Sequence, residues 1–366
     1  MRILIAGGGT AGHVFPSLAV AEQLSARGAR VEFIGSTDGQ EATLVPAAGY
    51  PFHAIRALPL RRELSVRAAL APAVALRSAI ACRPLVRGAS AVLGMGGFAS
   101  IPAVLAARTA GVPTVLHEQN AVPGLANRTL ARLAAAIGIT FEDSRRRLSG
   151  RTRIETTGLP VRKEILAVQI RREALAAEAR RAFDLEADRL TLLVTGGSQG
   201  ALQIDRAVAG AVALLSGRRD VQLVVLTGRA HEAEVAGAAA RSMDLVVRTI
   251  PFLDRIELAL AVADAAVARA GANTVSELAV SGVPAILVPY PYATDAHQEA
   301  NARELERVGA AELVSDRDLT PERFADRVGA IVADDERRAS MAKAARAWAK
   351  PDADERLTGL VLAVAR

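Results

Sequence analysis

Two hydropathy patterns alternate along this chain. Arg2–Ala6, Val31–Ile34, Ala91–Leu93, Thr114–His117 and Ala136–Thr140 are short apolar runs, as strands buried on both faces require. Between them, Pro16–Arg27, Leu64–Ile80, Ile101–Ala110 and Gly124–Leu133 repeat apolar residues at helical spacing. Strand and helix in turn predict βαβ units and a parallel sheet. The series closes at Gly158-Leu159-Pro160 and then restarts. Leu190–Val194, Val221–Leu226, Leu245–Arg248, Ala265–Ala268 and Ala285–Val288 read as strands of a second sheet. Lys163–Ala182 is a charged helical connection and Asp352–Ala365 a terminal helix. The expectation is an α/β chain of two doubly wound parallel-sheet domains, residues 1–160 and 161–340, with a helical segment over 341–366.

A length of 366 residues suits two domains, and an apolar content of 51% is enough for two cores. Aromatic residues make up only 3%, which argues against a stacking platform for nucleic acid. Cys82 is the single cysteine, so no disulfide framework or zinc cluster is expected. Met1–Gly7 runs straight into a strand without a signal-peptide pattern, and no long uncharged apolar stretch follows. A cytoplasmic protein without a membrane span is therefore expected. Charge divides unevenly. Residues 1–160 carry 18 arginines, no lysine and nine acidic residues, a net of +9, while the remainder has 27 basic and 30 acidic residues, a net of −3. A basic first half suits an anionic partner such as nucleic acid, acidic lipid or a phosphorylated substrate, and equally suits a solvated arginine-rich surface.

Candidate chemistry collects where strands end. Gly271-Ala272-Asn273-Thr274-Val275-Ser276-Glu277 lies between an apolar run and a helical pattern, with Asn273 or Thr274 as N-cap and Glu277 in the first turn. A strand, a glycine turn and a helix N-terminus make an anion site, with Glu277 placed for a ribose. The same residues also describe an ordinary α/β turn with a capping glutamate. Gly7-Gly8-Gly9-Thr10-Ala11-Gly12, Gly94-Met95-Gly96-Gly97 and Gly196-Gly197-Ser198-Gln199-Gly200-Ala201 are three further glycine turns after strands. Gly7-x-Gly9-x-x-Gly12 fits the dinucleotide fingerprint, but the acidic residue expected at the end of the second strand is missing, Asp38 coming late in a turn. Neither Gly7–Gly12 nor Gly196–Ala201 is followed by Gly-Lys-Ser/Thr, which excludes a P-loop.

His13, just after the first turn, can serve as a general base or simply brace the turn. His117-Glu118-Gln119-Asn120 concentrates polar groups at a strand end without the spacing of metal ligands. Asp316-x-Asp318 and Asp352-x-Asp354 precede helices and read as helix starts, so no metal is expected. Asp295–Asn301, after the proline-containing Val288–Pro291, suits recognition of hydroxyl groups or is a plain polar loop.

Taken in order, several motifs resemble the MurG family of peptidoglycan glycosyltransferases across nearly the whole length. They are the first glycine turn with His13-Val14-Phe15-Pro16, Gly94–Phe98, His117–Asn120, Gly158-x-Pro160-Val161-Arg162, Gly196–Ala201, Gly271–Glu277 and His297-Gln298. The resemblance implies a GT-B fold, two Rossmann-like domains facing a cleft, with no metal and no cofactor. It implies that the donor, UDP-N-acetylglucosamine, lies mainly on the second domain. Ser198 and Ala272, Asn273, Thr274, Val275, Ser276 and Glu277 would hold diphosphate and ribose. Leu253 would sit at the uracil, and His297 and Gln298 at the sugar hydroxyls. From the first domain Thr10, Ala11, Gly12, Asn120 and Arg162 would complete the site, with His13 or Glu118 as base for an inverting transfer. Ala11 stands where many members have glycine, and His297 where some have glutamine.

The implied acceptor is a polyprenyl-pyrophosphoryl-muramyl-pentapeptide, which requires contact with an anionic membrane surface from the cytoplasmic face. Leu64–Arg87 mixes Leu70–Leu76 with Arg67, Arg77, Arg83 and Arg87, preceded by Arg56, Arg61 and Arg62. That is the composition of a membrane-surface patch, and also of a core helix with an arginine-rich outer face. Another sugar–nucleotide transferase of the same fold is the closest rival reading, and a nicotinamide-dependent oxidoreductase a more distant one.

Overall fold

The computed structural model describes residues 1–55, 66–148, 152–197, 200–228 and 231–366, without the side chains of Ala11, 66–73 and Ala75. Ser198, Arg56, Arg61 and Arg62 therefore lie outside the described residues, as do the side chains of Arg67 and Leu70. The chain forms two compact units, Met1–Arg162 with Lys350–Arg366, and Lys163–Ala349.

The first unit is built on strands β1 (Arg2–Ala6), β2 (Arg30–Ser36), β3 (Phe52–Ile55), β4 (Ala91–Gly94), β5 (Thr114–Glu118), β6 (Ala136–Ile139) and β7 (Arg153–Thr156). They form one parallel sheet in the order β3-β2-β1-β4-β5-β6-β7. Alternation along β1 sorts its side chains into two layers. Ile3 and Ile5 pack with Val14, Val20 and Leu24 of helix Ala11–Ala26. Leu4 and Ala6 pack with Cys82 and Val86 of helix Val66–Val86 and with Ala103 and Ala107 of helix Ser100–Ala110. The second unit has strands β8 (Leu190–Thr195), β9 (Val221–Leu226), β10 (Val246–Ile250), β11 (Ala265–Ala268), β12 (Ala285–Leu287) and β13 (Ala311–Leu313). Their order, β10-β9-β8-β11-β12-β13, repeats the winding of the first sheet. In both sheets the first and fourth strands are neighbours, so the turns that follow them emerge side by side at the carboxyl edge.

Three strands, β3, β7 and β13, escape the hydropathy reading. Each is an edge strand of three or four residues carrying polar side chains, such as His53, Arg153, Glu155 and Glu312, because one side is unpaired. Helix Ala11–Ala26 starts before the expected Pro16, which lies inside it, so His13 is in the first helical turn.

The expected segment 341–366 is divided. Helix Asp335–Trp348 stays with the second unit, where Met341 is in the core and Trp348 Nε1 donates to Glu304 Oε1 at 3.2 Å. Helix Ala353–Val364 returns to the first, burying Leu357, Leu360 and Val361 beside Ile3 and Ile5, while Gln23 Nε2 donates to Asp354 Oδ2 at 2.9 Å. An apolar stripe alone does not say which core will cover it.

Candidate active site

In the first unit the turns after β1 and β4 touch backbone to backbone. Gly97 has φ +74° and a Cβ there would stand 2.6 Å from the Gly8 carbonyl oxygen, so only glycine permits the approach. Thr10 is the N-cap residue of helix Ala11–Ala26, but its hydroxyl lies 3.2 Å from His13 Nδ1 instead of capping the helix. The half-buried His13 ring rests against Gly96, where a Cβ would be 3.4 Å from its Cδ2. The same glycine faces Asn127.

At the end of β5, His117 is fully buried and its Nε2–H donates to the Gly158 carbonyl at 2.9 Å. Burial pushes its pKa down to about 4, so it is neutral at physiological pH. The two oxygens of Glu118 are already engaged. Oε1 accepts from Asn120 N at 2.9 Å, and Oε2 from Gly124 N at 3.1 Å and Asn127 Nδ2 at 2.8 Å. Burial raises the pKa of this carboxyl, against the pull of those donors. Glu118 thus holds the 119–124 loop and fixes the backbone of Asn120. The Arg162 guanidinium stacks 4.7 Å from the Phe15 ring centre, two residues beyond His13. The structure therefore gathers Thr10, His13, Glu118 and, through Phe15, Arg162 around the first helix N-terminus, with Gly12 in its first turn.

In the second unit, β11 ends at Ala268 and the following residues are braced by side chains from far along the chain. Arg269 is 7% exposed and its Nη1 donates to the carbonyls of Val288 at 3.1 Å and Pro289 at 3.3 Å and to Asp316 Oδ1. Its guanidinium also faces the Tyr290 ring at 5.5 Å. Ala270 N donates to Gln298 Oε1 at 3.2 Å, and the Ala270 carbonyl accepts from Asn301 Nδ2 at 3.0 Å. This fixed peptide leads into Gly271, the N-cap of helix Ala272–Ser281.

The cap is thus Gly271, not Asn273 or Thr274, and Glu277 is in the second helical turn, not the first. The helix begins sooner because the extended Gly271 needs no side chain to leave the strand. Ala272, Val275 and Ser276 are buried, and the Val275 N–H already donates to the Gly271 carbonyl at 3.0 Å. The Val275 side chain therefore packs in the interior, while the buried Ser276 hydroxyl has no protein partner among the described residues. The half-buried Asn273, Thr274 and Glu277 share the other face, at the N-terminal end of the helix.

Helix His297–Arg307 completes this edge. His297 Nδ1–H donates to the Thr294 carbonyl at 2.7 Å, which makes Nε2 an acceptor. Gln298 Oε1 also accepts from Tyr290 N at 2.9 Å, so its carbonyl oxygen serves the loops. Half-buried Leu253 follows β10 on the same carboxyl edge. On the glycine turn after β8, buried Asp205 accepts from Ala201 N at 3.3 Å, and burial raises its pKa to about 6. Asp316 is the partner of Arg269, and Asp318 accepts from Ser315, while Asp352 pairs with Arg356. Among the described residues no three His, Cys, Asp or Glu side chains gather as metal ligands. A cavity of about 410 Å³ lies along β10, lined by Glu186, Met243 and Arg248, and none of the turn residues lines it.

Sequence reasoning missed Arg269 and Asn127, and read Asp316 only as a helix start and Asn301 only as part of a polar run, because their types are those of any polar surface and their partners lie on other elements.

Two doubly wound parallel sheets with glycine turns at their carboxyl edges are the architecture of the GT-B fold. Residues 3–139 match the glycosyltransferase family 28 N-terminal domain and residues 191–357 the family 28 C-terminal domain. A UDP-N-acetylglucosamine–N-acetylmuramyl-(pentapeptide) pyrophosphoryl-undecaprenol N-acetylglucosamine transferase from Halothermothrix orenii is 38% identical, covering 99% of this chain and 98% of its own. One of the same name from a Nocardioides species is 43% identical, again over 99% and 98%. The crystal structure of Acinetobacter baumannii MurG superposes with a TM-score of 0.78 at 28% identity, covering 99% of both chains. The chain belongs to glycosyltransferase family 28, in its MurG branch.

Proposed function

We propose that this chain moves N-acetylglucosamine from UDP-N-acetylglucosamine to the 4-hydroxyl of a lipid-linked N-acetylmuramyl-pentapeptide, with inversion at the anomeric carbon. The observation that carries the donor assignment is the Ala270–Gly271 turn, pinned by Gln298 and Asn301 and leading into the N-terminal N–H groups of helix Ala272–Ser281. The diphosphate takes those N–H groups, Glu277 takes the ribose hydroxyls and Leu253 packs on the uracil. The Gln298 amide donates to the sugar and His297 Nε2 accepts from it.

His13 takes the proton of the acceptor hydroxyl, and we assign the step to Nε2 because Nδ1 is tied to Thr10. As the acceptor oxygen bonds to the anomeric carbon, the carbon–phosphate oxygen bond breaks and charge grows on UDP. Fixed N–H donors and the Arg162 cation stabilise that charge, each charged or preorganised donor by roughly 2–4 kcal/mol. Thr10, Gly12 and Asn120 shape the first unit's share of the site. The proposal includes no metal.

The acceptor's polyprenyl chain calls for a membrane surface, reached as a peripheral protein on the cytoplasmic face. No helix among the described residues is long and apolar enough to cross a membrane. The described end of helix Val66–Val86 supports surface contact, because Leu76 and Ile80 are 63% and 65% exposed beside exposed Arg77, Arg83 and Arg87.

The deciding experiment is transfer of labelled N-acetylglucosamine from its UDP ester to a lipid-linked muramyl-peptide in excess EDTA. Labelled disaccharide-lipid is the expected product. Its absence, or activity restored only by magnesium, would sink this reading.

A further inference from the structure

We infer that Glu41 is a positioning residue of the transfer reaction: its carboxylate ties the first glycine turn to the end of β2 and so sets the turn that carries His13. The inference rests on the reading of His13 as the base. Glu41 opens the short helix Glu41–Ala47 and is 2% exposed, 32 residues from the turn it reaches. Oε2 accepts from Gly9 N at 2.7 Å, and Oε1 accepts from Ser36 N at 2.8 Å, at the end of β2.

Three glycines make room for it. A Cβ on Gly8 or on Gly39 would fall 2.1 Å from the Glu41 carboxyl group, and one on Gly35 2.5 Å from its Cγ. Gly8 and Gly9 also hold φ of +148° and +100°, which L side chains rarely adopt. No cation pairs with Glu41 among the described residues, so the carboxylate is sustained by backbone donors.

One carboxylate thus ties the turn after β1 to the end of β2. From Gly9 the chain passes directly to Thr10, whose carbonyl accepts from His13 N at 3.0 Å and whose hydroxyl meets His13 Nδ1. The carboxylate thus fixes the imidazole through four residues of backbone.

The test uses the full chain carrying Glu41→Gln, Glu41→Ala and each combined with His13→Ala, with folding checked by circular dichroism. Glu41→Gln keeps the volume but turns an amide N–H toward one of two N–H donors. A displacement of that kind is expected to lower kcat by about 10²-fold, with UDP affinity unchanged. Glu41→Ala should fall similarly and regain activity with added formate, which fits between the Gly9 and Ser36 donors. In the His13→Ala background either Glu41 change should cost less than about two-fold, the signature of residues acting as one unit.

Wild-type kcat in folded Glu41→Gln overturns the inference. So does a loss carried by UDP affinity, or one that formate does not relieve. If His13→Ala itself retains near-normal turnover while formate still rescues Glu41→Ala, the base assignment fails and Glu41 remains the residue that positions the turn.

Discussion

Replacing Arg269 by Met keeps most of the buried stem and removes the charge from a site where three acceptors depend on it. The side chains of Arg269 and Asp316 are 9% and 19% exposed, and the carbonyls of Val288 and Pro289 share the same Nη1. Removing one partner of a buried pair costs about 3–5 kcal/mol. Because Asp316 keeps some contact with water, we expect roughly 2–4 kcal/mol here. Asp316→Leu should cost less, since Arg269 retains both carbonyls, and the double variant should be at least about 1 kcal/mol more stable than the sum of the single effects. Trp348, the only tryptophan, lies in the second unit, so its fluorescence during urea unfolding reports that unit. The next residue along from Arg269 is Ala270, so UDP affinity should fall with Arg269→Met even well below the unfolding midpoint. A loss under about 1 kcal/mol, the worth of a surface pair, or strictly additive single effects, would refute the idea that this arginine braces the turn.

Other consequences concern the first unit and its surroundings. His117 titrates near 4 when folded against an ordinary 6.5, so its contribution is complete above pH 6.5 and is lost as pH falls toward 4. About 3 kcal/mol is at stake. Neighbouring Glu118, with its raised pKa, acts in the opposite sense. The unfolding free-energy difference between wild type and His117→Gln at pH 7.5 and pH 5 isolates the histidine, and an unchanged difference would refute the assignment. Cys82 is fully buried and burial pushes its thiol up to about 11, so a thiol reagent should label it only as fast as the first unit opens. Rapid labelling of the native protein would contradict that burial. Replacing Arg77, Arg83 and Arg87 by Glu should reduce co-sedimentation with anionic vesicles, most clearly at low salt, and equal binding would leave the helix as ordinary core packing.

How the site is built was only partly legible beforehand. Glycine turns after apolar runs, the position of His13 behind one of them and the run from Gly271 to Glu277 stand in the sequence because turn chemistry and strand or helix periodicity are local properties of a few residues. They sufficed for two doubly wound domains, and the family resemblance needed the further motifs in order along the chain. Tertiary structure alone decided which polar side chains serve the frame. Glu41 meets Gly9 because β1 and β2 are neighbours, and Arg269 meets Asp316 across 47 residues. That both oxygens of Glu118 hold a loop was not legible from its type. Val275 and Ser276 face inward because the helix begins at Ala272, and a shift of one residue turns a helix face by about 100°. Residue type alone does not distinguish a carboxylate that binds a ligand from one that braces a turn. That difference arises only when strand order brings distant donors within hydrogen-bond reach.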